Sequence, residues 1–236
     1  MHIPLVIAHR GDSADALENS LEAIHRALSF PVDMIELDIR LSRDKVLYVM
    51  HDRMTGRTAD RNRDIERSTS GEIGAIKLRN DEPIPTLTDV MRTVAEAAGL
   101  NLEIKSDGAG LLTAQYLVTS GYKGYVLISS FKEEEVLAVR RAAPSLPTSL
   151  IFDVFKVRDV PSYEDRGYRI ISLRKKTVNK ELVSVCHEHG IQVYVWTVDE
   201  ENEMRELISW DVDGIYSNKP GVLKKIVQSS EYGVQS

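Results

Sequence analysis

The chain has 236 residues, with 30 Lys and Arg against 36 Asp and Glu, a formal net charge of −6, and 42% hydrophobic and 28% charged residues. Such a chain can bury enough apolar surface to offset its ordering entropy, which excludes disorder, and its acidic balance excludes general nucleic-acid binding, which needs a basic surface. No apolar run approaches the ~18 residues that span a bilayer, so stable membrane insertion is not expected.

In chain order, the opening stretch MHIPLVIAHRGD has no basic start and is cut by His9 and Arg10. It reads as a first strand rather than a signal peptide. With a single cysteine, Cys186, no intramolecular disulfide can form, and both features point to the cytoplasm. Short β-rich runs then recur at 5–9, 34–39, 46–51, 100–105, 125–129, 148–152, 169–173, 193–198 and 214–218. Helical spacing of apolar residues marks 16–28, 87–99, 132–143 and 179–190. Thr86 or Thr88 and Asn179 stand where N-caps belong, and Gly99 and Gly190 where helices stop. Strand–helix alternation predicts a parallel sheet, and about eight units in this length predict a closed TIM (β/α)8 barrel.

One junction departs from the alternation. Only RLSRDK separates 34–39 from 46–51, too short for a crossover helix, so those runs should pair as an antiparallel hairpin. A two-residue turn at Arg43–Asp44 would set Glu36 opposite His51 and Asp38 opposite Val49. Removing the hairpin strand leaves eight parallel runs. Residues 53–85 are polar and weakly periodic, and a loop of that length usually carries function or small structure, so 1–236 reads as one barrel domain with a small insertion at about 53–85. The tail after Lys225 is expected to fray.

The chemistry lies on the strands. Glu36 and Asp38 are two apart and share one side, as do Glu103 and Lys105, while Ile35, Leu37, Leu102 and Ile104 take the other. Unpaired buried carboxylates are costly, so three facing a common centre require positive charge. A hard divalent cation, Mg²⁺ or Ca²⁺, and salt bridges from Lys105 or Arg10 both satisfy that requirement. His9-Arg10-Gly11 follows the first strand, and His51-Asp52 ends the hairpin's return strand. Two imidazoles at the barrel rim suit acid–base chemistry. Cys186-His187-Glu188-His189 resembles a metal cluster, but adjacent helical positions diverge around the axis. Asp107-Gly108-Ala109-Gly110 lacks the Lys-Ser/Thr of a P-loop and reads as a turn. Lys132 to Glu135 read as an acidic first helical turn.

In order along the chain, AHRG (8–11), LENS (17–20), IELDIRLSRD (35–44), VMHD (49–52), IPTL (84–87), LEIK (102–105), SSF (129–131), VWTVD (195–199) and DGIYSNKP (213–220) resemble the glycerophosphodiester phosphodiesterases of the phospholipase-C-like phosphodiesterase barrels. The resemblance implies hydrolysis of a small-molecule glycerophosphodiester to sn-glycerol 3-phosphate and an alcohol. It implies His9 and His51 as the acid–base pair, working through a cyclic phosphate. It implies Glu36, Asp38 and Glu103 as ligands of one divalent ion, Mg²⁺ or Ca²⁺, and Arg10 and Lys105 as phosphate binders. Glu18 would stand in the inner shell, with Phe131 and Trp196 as apolar lining near the substrate. Leu17 replaces the family's usual proline, Asp44-Lys45 its Asp-Gly turn, and SNKP the commoner TDKP or TNKP. Two other readings keep the fold: a lysophospholipase D-type activity, and a catalytically silent barrel that binds phosphodiesters. Monomer and homodimer are both compatible with the sequence.

Overall fold

In a computed structural model, which describes residues 3–232, the β-rich runs become β1 (Leu5–His9), β2 (Met34–Leu41), β3 (Leu47–Val49), β4 (Gly99–Ile104), β5 (Val126–Ser130), β6 (Thr148–Phe152), β7 (Ile170–Arg174), β8 (Gln192–Trp196) and β9 (Gly214–Ser217). The helices are α1 (Leu21–Leu28), α2 (Ser70–Ile73), α3 (Leu87–Val94), α4 (Ala109–Ser120), α5 (Glu133–Ala142), α6 (Val160–Asp165), α7 (Lys180–Glu188), α8 (Glu201–Ser209) and α9 (Pro220–Tyr232). Eight strands pair in parallel as β1-β2-β4-β5-β6-β7-β8-β9, and β9 returns to β1. That ring is the TIM barrel, and β3 pairs antiparallel to β2 outside it.

Period-two alternation separates two cores. Ile35, Leu37 and Ile39 of β2 and Leu100, Leu102 and Ile104 of β4 face outward and join the layer under the helices. The inward set closes the N-terminal half with Ile7, Met34, Leu127, Ile170, Tyr194 and Tyr216. Each such side chain contributes about 1.5–3 kcal/mol on full burial. Above that plug the same inward positions carry Glu36, Asp38, Asn101, Glu103, Ser129, Ser149 and Ser172, all buried. Apolar packing below and polar groups above place the site at the C-terminal rim. Tyr163 fastens the far wall: its hydroxyl donates to Ile170 O at 2.6 Å and accepts from Leu150 N at 3.3 Å.

Several local expectations change. The hairpin pairs Ile39 with Val49 and Leu41 with Leu47, one residue from the expected register. The turn is not the two-residue Arg43–Asp44 type: Lys45 N donates to Ser42 O, Ser42 N to Val46 O, and Lys45 takes a left-handed φ of 69°. A three-residue loop closing on a left-handed residue shifts the pairing by one. The helix expected from residue 16 starts at Leu21, capped by Ser20, so 16–20 forms a turn with Asn19 at φ 59°. Thr86 and Asn179 are N-caps as expected, and Gly190 follows α7 at φ 64°. Gly99 instead begins β4, and Ala95 ends α3. Gly108 caps α4, whose first residues are Ala109 and Gly110, so only the front of that glycine-rich segment is a turn. Glu133, Glu134 and Glu135 form the acidic first turn of α5 as expected, and the Glu135 carboxylate accepts from Gly108 N and Gly110 N. The last helix runs on to Tyr232, so fraying does not begin at Lys225, and 233–236 lie outside the described residues.

Residues 53–85 hold short 3₁₀ turns at Thr55–Arg57 and Ile65–Arg67, helix α2, and isolated bridges such as Ala59 with Leu78. Ala59, Ile65, Ile73, Ile76, Leu78 and Ile84 bury a small core of their own against Tyr48 and Met50. Among the described residues no helix is long and apolar enough to cross a membrane.

Candidate active site at the barrel rim

Register decides which side chains meet. β1 beside β2 pairs His9 with Glu36, and β2 beside β4 pairs Asp38 with Glu103. Glu36, Asp38 and Glu103 each offer an oxygen within 4.8 Å of the others, and all three are buried. His9 Nε2 lies 3.8 Å from Glu36 Oε2. The chain then turns at Gly11, whose φ is 85° and whose missing Cβ would lie 2.7 Å from the Ala23 backbone, so only glycine lets this loop sit against α1. That turn aims Arg10 back across the rim. Its backbone N–H donates to Glu36 Oε2 at 3.0 Å, its Nε lies 3.2 Å from Asp38 Oδ2, and its Nη1 donates to Glu18 Oε1 at 2.9 Å. Lys105, one residue beyond β4, pairs with Glu103 and lies 3.1 Å from Asp38 Oδ1.

A cavity of about 550 Å³ opens here, lined by His9, Arg10, Glu36, His51, Glu103, Lys105, Phe131 and Trp196, with Asn101, Ser172 and Tyr216 deeper in the barrel. Asp38 sits behind this wall, fully buried, and Glu18 supports Arg10 rather than lining the space. Phe131 and Trp196 meet edge to face at 5.6 Å. All ten predicted site residues therefore belong to one neighbourhood.

The electrostatics are short of positive charge. Burial, reinforced by the charge of Asp38, pushes the carboxyls of Glu36 and Glu103 up. Burial also works against ionised Asp38, but Lys105 and Arg10 outweigh it and hold that carboxyl low. Glu36 Oε1 and Asp38 Oδ1 are buried without a hydrogen bond, even though Lys105 Nζ comes close to the second. Two orphaned carboxylate oxygens on β2, with a third acid beside them on the adjacent β4, are a hard oxygen donor set that fits a divalent cation. Burial lowers both histidines, with the Arg10 charge next for His9, while Asp38 partly offsets the shift at His51.

Each imidazole has an orienting partner that the sequence did not single out. His9 Nδ1 meets Asn218 Oδ1 at 2.7 Å, and Asn218 Nδ2 donates to Asp199 Oδ2 at 2.7 Å, which fixes the amide's orientation. His51 Nδ1 meets Asp52 Oδ1 at 2.7 Å. Asn19 donates to Asp38 Oδ2 at 2.8 Å. The motifs containing Asn218, Asp199 and Asn19 were visible, but nothing in their spacing assigns them to particular ring nitrogens or carboxylates. The other histidine cluster does not assemble: His187 pairs with Asp213, His189 with Glu164, and Cys186 is buried. Among the described residues, Glu36, Asp38 and Glu103 form the one group with metal-holding proximity.

The profile of the Glycerophosphoryl diester phosphodiesterase family matches residues 9–222. A glycerophosphodiester phosphodiesterase of Caldanaerobacter subterraneus is 33% identical, over 95% of this chain and 98% of the relative. One from Bacillus subtilis is 26% identical, over 94% and 86%. Among solved structures, a glycerophosphodiester phosphodiesterase from Parabacteroides distasonis superposes with a TM-score of 0.87 at 25% identity, over 98% of this chain and 99% of that one. An Oleispira antarctica phosphodiesterase in complex with the product sn-glycerol-3-phosphate superposes with a TM-score of 0.88 at 23% identity, covering 96% and 97%, and that likeness is one of fold.

Proposed function

The chain belongs to the glycerophosphoryl diester phosphodiesterase family, and from that premise we propose how its residues divide the work. It is a phosphoric diester hydrolase that cleaves glycerophosphodiesters to sn-glycerol 3-phosphate and an alcohol. The observation that carries the assignment of residues is the buried acidic triad with two orphaned oxygens, flanked by two imidazoles on one cavity.

Glu36, Asp38 and Glu103 would hold one Mg²⁺ or Ca²⁺. Such an ion would supply Lewis-acid neutralisation of the phosphate charge. Arg10 and Lys105 set fixed positive charge beside the same space, where negative charge accumulates as the diester reacts. Asn218 Oδ1 can only accept, so the His9 ring proton sits on Nδ1 and Nε2 carries a lone pair toward the cavity. Asp52 Oδ1 likewise keeps a proton on His51 Nδ1, so Nε2 is the nitrogen that exchanges protons there. One unprotonated Nε2 takes the proton of the glycerol 2-hydroxyl as that oxygen attacks phosphorus, and the other imidazole, entering the step with a second proton on Nε2, gives that proton to the departing alcohol. A cyclic glycerol phosphate results, and water opens it with the two roles exchanged. Phe131 and Trp196 offer an apolar wall to the glycerol or the leaving alcohol. Residues 53–85 act as an insertion covering one side of the rim, and the protein works in the cytoplasm on soluble headgroup diesters.

Phosphorus NMR of the reaction tests this reading. Glycerophosphocholine should give sn-glycerol 3-phosphate with a transient cyclic phosphate, and an analogue lacking the 2-hydroxyl should stay intact. Turnover of that analogue would eliminate the cyclic route. Faster cleavage of a lysophospholipid than of glycerophosphocholine would move the assignment to lysophospholipase D chemistry.

A further inference from the structure

The insertion sends one side chain back toward the site. Arg57 ends the 3₁₀ turn Thr55–Arg57, and Thr55 is buried there, its hydroxyl donating to Arg61 O and accepting from Arg63 N. From this anchored turn the guanidinium forks. Nε donates to Asp52 Oδ2 at 2.5 Å, and Nη1 and Nη2 donate to the two oxygens of Glu18 at 2.7 Å each. Each carboxylate uses an oxygen to hold a group of the active site: Asp52 Oδ1 holds His51 Nδ1, and Glu18 Oε1 also accepts from Arg10 Nη1. Arg57 itself does not line the cavity.

We infer that Arg57 is a positioning residue that locks the Asp52–His51 pair and the Glu18–Arg10 pair into one arrangement. The inference rests on the reading of His51 as an acid–base group. Its physical basis is the planar fork, which fixes two carboxylates at set angles; an ammonium is a point charge and cannot. Without the fork, both partly buried carboxylates regain rotamer freedom, and the imidazole and guanidinium they hold drift from reacting geometry. A plain structural role, tethering the insertion, predicts loss of stability instead.

The two roles separate by steady-state kinetics on glycerophosphocholine, with melting temperatures measured in parallel. Arg57→Lys and Arg57→Ala should each lose kcat by about 10–100-fold, a cost typical of outer partners of a site, while KM stays within about twofold. Arg57→Lys keeps the charge and the aliphatic stem, so it carries the test if the alanine variant fails to fold. Adding Asp52→Asn to Arg57→Ala should cost little more than the worse single change, because both cut one chain of contacts. Guanidinium ion should restore part of the turnover of Arg57→Ala and none of Asp52→Asn. Three results would overturn the inference: wild-type kcat in Arg57→Ala while His51→Ala is inactive; losses from Arg57→Ala and Asp52→Asn that multiply; or a loss that tracks melting temperature and is repaired by lysine. An active His51→Ala enzyme would bring down the acid–base reading itself, and this inference with it.

Discussion

His9 and His51 approach one cavity from opposite supports, the first braced by Asn218 and Asp199, the second by Asp52. Replacing either with alanine should cut kcat by about 10²–10⁴-fold, the usual worth of a positioned acid–base group, while leaving melting temperature and divalent-ion binding near wild type. Wild-type turnover in either variant would remove that histidine from the mechanism. Asn218→Ala should have a milder effect, a loss of about tenfold in kcat with KM little changed, because it frees the ring without deleting it. An unchanged kcat would show that the ring needs no brace. The acids were legible in the sequence because a strand's period of two exposes them: Glu36 and Asp38 interrupt an apolar run with the spacing that puts both on one face. Asn218 and Arg57 were not legible as partners, since hydrogen bonds across 209 residues to His9 and 39 residues to Glu18 leave no local pattern.

At the scale of elements, the β2–β3 hairpin ties barrel to insertion through Asp44. Its carboxylate accepts from Ser42 Oγ at 2.7 Å, from Ser70 Oγ at 2.6 Å and from Ser70 N at the start of α2. Those bonds, the Ser70 hydroxyl foremost, hold the Asp44 carboxyl down to about 2. A carboxyl lowered in the folded state stabilises above its ordinary range, and that contribution disappears as pH falls through the folded value. The stability advantage of wild type over Asp44→Asn should therefore be full above pH about 4 and shrink toward pH about 2. A gap between their urea midpoints that does not narrow across this window would show that the Asp44 charge is not what ties the two elements. Next to it, Lys45 holds a left-handed φ that glycine adopts without steric cost. Lys45→Gly should raise stability by up to about 1 kcal/mol, read from a higher urea midpoint at unchanged m. The same turn explains why the register eluded sequence reasoning. The serine and lysine that close it carry no strong turn signal, and one extra loop residue shifts every pair. Helix α4 was likewise obscure, because AGLLTAQYLVTS has no charged face to mark its solvent side.

For the whole molecule, ring closure follows from eight strands whose outward faces are apolar and whose inward faces change from apolar to polar along their length. On β2 and β4 the apolar outward and charged inward faces were legible from alternation, and that division predicts that stability and chemistry separate by face. Leu102 points under the helices and its neighbour Glu103 points into the site. Leu102→Ala should cost about 2–5 kcal/mol, a large part of a typical total of 5–15, yet leave kcat near wild type below the melting temperature. Glu103→Gln should do the reverse. The central claim is that Glu36, Asp38 and Glu103 together hold one divalent ion on which hydrolysis depends. The most direct test is to strip the protein with EDTA and titrate Mg²⁺ or Ca²⁺ back calorimetrically while assaying sn-glycerol 3-phosphate release. One ion bound per chain, activity rising with occupancy, and a flat titration for Glu103→Gln are the expected results. Full turnover by the stripped protein, or unchanged ion binding by Glu103→Gln, would contradict the account.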